Sequence, residues 1–237
     1  GSRETEGVSA GNGGQGIGGS ATFNADSGSL AVTNTLTVSS GGFGGQGGSG
    51  AGVNAGNGGD SRGGTAIFNL DGTAVVNAGT GGIIVSSNTT GGAGGNALVG
   101  NSPAPTPTPA QNTGNGGNAL AGTATFNNLS GTITFDDLSV TAIGTGGAGG
   151  QGGKTALVFD PITGFNIEVF TASFEGQNGG NGGNGTGGNA TINIGQDDPN
   201  PVQYTIDASG IGAAGSDGVV GGNGGNGQGG NAVFNIN

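Results

Sequence analysis

The sequence predicts an all-β fold, a parallel β-helix or β-solenoid carrying glycine-rich segments of polyglycine II type. Three observations predict it. Glycine supplies 64 of the 237 residues and hydrophobic residues only 30%, too little for a conventional core. The glycines are also in phase, as in Asn178-Gly179-Gly180-Asn181-Gly182-Gly183-Asn184, where a side chain recurs at every third residue. Finally, one joint returns along the chain, a glycine block running into a short apolar strand that closes on asparagine. Self-similarity of this kind marks a repeat architecture, in which no unit buries its apolar surface alone.

Gly1-Ser2 reads as the remnant of a cleaved expression tag, and residues 1–10 as that remnant plus a leader. With no methionine anywhere, the chain reads as an excised or processed piece. Residues 11–237 read as a single repeat solenoid domain. Its joint first appears as Gly18-Gly19-Ser20-Ala21-Thr22-Phe23-Asn24 and returns as Gly63-Gly64-Thr65-Ala66-Ile67-Phe68-Asn69, Gly187-Gly188-Asn189-Ala190-Thr191-Ile192-Asn193 and Gly229-Gly230-Asn231-Ala232-Val233-Phe234-Asn235. Partial copies are expected at Ala97-Leu98, Ala119-Leu120, Thr123-Ala124-Thr125-Phe126-Asn127 and Thr155-Ala156-Leu157-Val158-Phe159. The last of these is read as a rung of its own.

Within the fullest units, three alternating, β-branched pieces follow each block. They are Ala21-Thr22-Phe23, Ser29-Leu30-Ala31-Val32 and Thr35-Leu36-Thr37-Val38 in one unit, and Ala124-Thr125-Phe126, Thr132-Ile133-Thr134-Phe135 and Leu138-Ser139-Val140 in another. Ser27-Gly28, Asp71-Gly72 and Ser130-Gly131 supply turns between the first and second pieces. Residues 102–113, with Pro103, Pro105, Pro107 and Pro109, are expected to form an extended surface insertion.

Stacked units would bury Phe23, Leu30, Val32, Leu36 and Val38 against their counterparts. The closing asparagines Asn24, Asn69, Asn127, Asn193 and Asn235 suit a ladder of side-chain amides from rung to rung, or else simply tolerate a tight turn. Three residues per turn in the glycine blocks would put asparagine on one edge and bare backbone on the other two. Bare edges let neighbouring segments approach closely enough for main-chain hydrogen bonds; a flexible linker is the alternative. Gly-Gly pairs and the lack of proline in the blocks argue against collagen.

Composition excludes several functions. The formal charge of −11 sets 14 acids against Arg3, Arg62 and Lys154, so no basic patch exists for nucleic acid. No apolar run is long enough to insert as a membrane-spanning helix. There is neither cysteine nor histidine, which removes thiolate chemistry and the commonest general base.

The segments GGNGGNGQGGNAVFN (residues 221–235) and GGTAIFN with the DGTAVV that follows resemble the glycine-rich β-strand repeats of very large secreted bacterial surface proteins, adhesins of the autotransporter or two-partner type. The blocks alone are also similar to those of the mycobacterial proteins rich in polymorphic glycine repeats. The resemblance implies a parallel β-helix, a secreted or cell-surface location and an adhesive, matrix or biofilm role.

Asp136, Asp137, Asp197 and Asp198 are the paired acids that carboxylate chemistry would use. Parallel β-helices can carry paired carboxylates for carbohydrate processing, but turns are the ordinary place for such aspartates, and no catalytic residue is assigned. The same four are weak calcium candidates, because hard cations take carboxylate and carbonyl oxygens; no other cofactor is expected. Thr22, Thr35, Thr37, Thr132 and Thr134 suggest a flat threonine face for ice or polysaccharide, without a uniform register across units. At the C-terminal end Ala232, Val233, Phe234, Asn235, Ile236 and Asn237 are expected to offer an open strand edge for head-to-tail self-association into a filament. The expected function is structural and adhesive without turnover, with a cell-surface or glycan receptor as partner; the alternative is a carbohydrate-binding or carbohydrate-processing β-helix.

Overall fold

The computed structural model describes residues 9–51, 53–98, 112–152, 155–159, 166–170, 178–195, 203–218 and 220–236. Strands account for its regular structure apart from a single 3-10 turn at Gly79–Gly81, and the protein is a parallel β-helix. Its first sheet has five strands, Ser20–Ala25, Thr65–Leu70, Thr123–Asn128, Asn189–Ile194 and Asn231–Ile236, stacked in that order. Ser29–Ala31, Val75–Asn77 and Thr132–Thr134 form the second sheet. Leu36–Ser39, Ile83–Ser86, Asp137–Thr141 and Gln203–Asp207 form the third.

Register follows from the side-chain period of two, since a slip by one residue would turn the apolar set outward. Phe23, Phe68, Phe126, Ile192 and Phe234 stand in one column. Val38, Val85, Val140 and Ile206 stand in another, and Leu30, Val76 and Ile133 in a third. The inner members of these columns converge on one core, completely closed around Phe68, Phe126, Ile133 and Val140. Leu30, expected to be buried, is exposed, as is Phe234, because each belongs to an end rung with a neighbour on one side. The rings of Phe23, Phe68 and Phe126 stack at 4.8 and 5.0 Å, and Phe135 meets Phe126 edge-on at 6.3 Å. At the turns after the first strands, Gly28 and Gly72 take φ of 88° and 62°, a region that favours glycine.

One core column contains a polar intruder. Ala25, Leu70, Asn128, Ile194 and Ile236 are in register, and Asn128 is as buried as its aliphatic neighbours. Its Oδ1 has no hydrogen-bond partner among the described residues. Leaving such an oxygen unpaired costs about 1–3 kcal/mol. Asn128→Leu is therefore expected to stabilise the protein by about that amount, read as an upward shift of the thermal unfolding midpoint. A lowered midpoint would show that the oxygen is satisfied.

Each rung of the β-helix is entered and left through a glycine arm. Approach arms are residues 10–19, 54–64, 112–122, 178–188 and 221–230; return arms are residues 40–51, 87–98, 142–152 and 208–217. Approach arms hydrogen-bond side by side in one layer, through Gly13 N–H to Asn57 O (2.8 Å), Gly58 N–H to Asn115 O (2.8 Å) and Gly116 N–H to Asn181 O (2.8 Å). Return arms do the same in a second layer, as from Gly44 N–H to Thr90 O (2.9 Å). The layers run antiparallel and are stitched in a zigzag: Gly45 N–H to Gly14 O, Gly59 to Gly45, Gly92 to Gly59, Gly117 to Gly92, Gly147 to Gly117 and Gly183 to Gly147, all at 2.8–2.9 Å. The glycine blocks are thus ordered polyglycine II helices. Their bare edges are required, because a Cβ on Gly116 would lie 1.7 Å from Gly147 O.

One sequence expectation is corrected. The strand Thr155–Phe159 does not join the first sheet; it pairs antiparallel with Asn166–Phe170. Thr123–Asn128 instead pairs directly with Asn189–Ile194. The physical reason lies in the arms. At Gly152 the chain has just completed a return arm, and it must run an approach arm before a new first strand can start. The strand pair therefore falls between a return arm and an approach arm along the chain. Of the insertion expected at 102–113, residues 102–111 lie outside the described residues, while Asn112 and Thr113 belong to an approach arm and Thr113 is buried. The partial copies at Ala97–Leu98 and Ala119–Leu120 likewise belong to arms.

Candidate functional site

The chain presents two repeated sets of asparagines. The first closes the strands of the first sheet. Asn69 Nδ2 donates to Asn24 Oδ1 (2.8 Å), Asn127 to Asn69 (2.7 Å), Asn193 to Asn127 (2.6 Å) and Asn235 to Asn193 (2.7 Å). The five form an unbroken amide ladder of four bonds, in which Asn24, Asn69, Asn127 and Asn193 each accept one proton at Oδ1 from the rung that follows. Next to it on the same outward face, Thr22, Ile67, Thr125, Thr191 and Val233 form a column. Ile67 and Val233 interrupt its threonines.

The second set lies on the outer face of the approach arms. Each arm repeats one side chain and two glycines, and every N–H of the repeat has a destination. In the middle arm, Gly116 N–H bonds within the layer to Asn181 O and Gly117 N–H bonds across it to Gly92 O, both at 2.8 Å. The third N–H, on Asn115, points outward with no main-chain acceptor, and Asn57 Oδ1 takes it at 2.9 Å. The same bond runs from Asn57 to Asn12 (2.8 Å), Asn181 to Asn115 (2.9 Å) and Asn223 to Asn181 (2.8 Å). A parallel row runs from Asn118 to Asp60 (2.7 Å), Asn184 to Asn118 (2.9 Å) and Asn226 to Asn184 (2.8 Å). Water could take this exposed donor, but the side chain of the preceding arm does so instead and fixes neighbouring arms in register.

This lattice was not legible as a site in the sequence. The period placed asparagine on one edge, but the partner of each amide depends on which arms share a layer. The hint was the spacing itself, with asparagine or a like acceptor at every third position through the middle of the approach arms; the return arms have alanine at Ala93, Ala148 and Ala214 but resume the pattern at Asn96, which accepts the Gln151 N–H at 2.9 Å.

Two hollows accompany the lattice. A trough of about 500 Å³ runs across the rungs where approach arms meet first strands, between Arg62 and Leu120 on one wall and Thr65 and Thr123 on the other, over paired glycines. The pairs leave it open because a Cβ on Gly64, Gly122 or Gly188 would strike the backbone of the preceding rung, as at Gly64, 1.7 Å from Gly19 O. A second hollow of about 420 Å³ lies between Ile17 and Leu120 beside Asp60 and Arg62. Ile17 is 75% exposed and Leu120 42%.

No family model matches this chain, and no curated protein does. Among solved structures it is similar to a springtail antifreeze protein from Granisotoma rainieri, a bundle of nine polyproline type II helices whose crystal waters match the ice lattice, with 19% identity over 95% of each chain and a TM-score of 0.23.

Asp136 and Asp137, the described pair among the calcium and catalytic candidates, are exposed at the corner between the second and third sheets, and Asp137 opens its strand. No cluster of three or more Asp or Glu residues occurs among the described residues. Asp197, Asp198 and Asn237 lie outside them. Asp71 is the acid with a shifted pKa: the Ser130 hydroxyl, and then the Gly72 N–H (2.7 Å), bond to its carboxylate and hold it below the usual aspartate value. That pairing ties two turns of adjacent rungs together. Residues 231–236 pair with Asn189–Ile194 along one edge and are exposed on the other. No described helix is long and apolar enough to cross a membrane.

Proposed function

We propose that this chain is a structural and adhesive repeat module of a secreted bacterial surface or filament protein, acting by contact and without turnover. One observation carries the reading. Each rung sets an asparagine outward in two registers, Asn12, Asn57, Asn115, Asn181 and Asn223 on the arms and Asn24, Asn69, Asn127, Asn193 and Asn235 on the first sheet, so the molecule offers rows of identical amides fixed by hydrogen bonds to their neighbours. A rigid row of repeated weak contacts gains avidity without any single strong site. The trough beside Arg62 favours a second reading, a glycan-binding β-helix, because hydroxyl and amide side chains line it.

Beads coated with the chain test the first reading. They are expected to hold to bacterial cells or extracellular matrix under flow, more firmly than beads coated with a glycine-serine polypeptide of equal length. Equal detachment of the two would refute adhesion. A reducing-end assay on the glycans the chain retains addresses turnover: release of sugar ends that is lost in the Asp136→Asn, Asp137→Asn double variant would make the module an enzyme.

A further inference from the structure

We infer that the outer face of the approach arms is a self-association surface, pairing side by side with the same face of a second copy. The inference rests on the structural-module reading and names the partner of its most regular face.

Charge points to this face. The chain carries −11 overall. Asp26, Asp71, Asp136, Asp137, Asp207 and Asp217 lie at the corners of the β-helix, beside its third sheet and at the end of a return arm. Among the described residues the approach face holds only Asp60 and Arg62, of opposite sign, in a field of asparagine. On this face two copies meet with no net charge between them, although each carries a large negative charge overall.

Hydrogen-bonding capacity points the same way. Within the lattice each asparagine spends one lone pair of Oδ1 on the next arm's N–H. The second lone pair of each Oδ1 and the Nδ2 protons, apart from the one Asn118 gives to Asp60 Oδ1 at 3.3 Å, make the surface donor and acceptor at once. Such a face complements itself, as a two-fold contact requires. Ile17 and Leu120 beside their hollow add the apolar element.

The area is sufficient. Residues 54–62 at about 3.1 Å each span about 28 Å, and the arms of this five-stranded layer, about 4.8 Å apart, span about 24 Å. A flat contact of that size removes about 1,300 Å² from the two copies together, within the roughly 1,200–2,000 Å² of stable interfaces.

Sedimentation equilibrium over a range of concentrations tests the inference. The wild-type chain is expected to show a reversible dimer. Asn115→Asp with Asn181→Asp places four carboxylates in the contact and is expected to weaken association at least tenfold, with partial recovery in high salt. The fold tolerates this change, because Asp60 already occupies a lattice position and accepts the Asn118 N–H at 2.7 Å; an unaltered circular dichroism melt checks that. Wild-type chain that is monomeric at every concentration overturns the inference, including chain that co-sediments with an insoluble neutral polysaccharide instead. So does a dimer that survives the two aspartates but is lost on Phe234→Asp, which assigns association to the open end of the first sheet. None of these outcomes alters the result of the bead assay.

Discussion

Gly117→Ala is expected to cost about 3–5 kcal/mol, while Gly14→Ala, the same change in the same motif, is expected to stabilise the chain by about 0.4–1 kcal/mol. At Gly117 an added Cβ would lie 2.1 Å from Gly59 O and 2.5 Å from Gly59 C, both main-chain atoms that cannot rotate away. To admit it the middle approach arm must withdraw, which breaks the bonds from Gly117 N–H to Gly92 O and from Gly147 N–H to Gly117 O. At Gly14 nothing lies within 4 Å, and φ is not positive. Alanine there only narrows the unfolded ensemble. Urea unfolding of the two variants beside the parent measures both. Equal effects of the same sign would mean that the arms behave as flexible linkers.

Phe126→Ala is expected to destabilise by about 3–5 kcal/mol, and Phe23→Ala by clearly less. Phe126 is fully buried between Phe68 at 5.0 Å and the edge of Phe135 at 6.3 Å, with rungs on both sides. A cavity there interrupts the core at its middle, where neighbour contacts carry the stability of stacked repeats. Phe23 stacks on Phe68 alone and is only partly buried. Thermal unfolding of the two variants separates them, and matched losses would contradict a core continuous through the middle rung.

Most of this architecture could be read from residue period. Alternation in Thr65-Ala66-Ile67-Phe68 marks which side chains enter the core, and the phase of Asn178-Gly179-Gly180-Asn181 marks a helix with three residues per turn. Both patterns are local, so the chain displays them before it folds. What escaped were properties of neighbours. Thr155-Ala156-Leu157-Val158-Phe159 alternates as well as any first strand, yet its partner is decided by the arm that precedes it. The approach and return arms share one period, and only their assignment to layers shows which asparagine accepts from which arm; the bond recurs along the approach layer and appears in the return layer from Ile143 to Asn88 and from Gln151 to Asn96. For Asn24, Asn69, Asn127, Asn193 and Asn235 the sequence left a ladder and a tolerated turn both open, and strand register brings the five amides together.

The asparagine bonds of the ladder and the lattice also have a direction. In each, the donor belongs to the later rung and the acceptor to the earlier: Asn57 to Asn12, Asn115 to Asn57, Asn181 to Asn115, Asn223 to Asn181, and likewise Asn69 to Asn24 through Asn235 to Asn193. A finished rung therefore displays a row of waiting oxygens to whatever chain arrives next. Polypeptide delivered from its N-terminus can be laid down course by course, like brickwork, with each course setting the alignment of the one above.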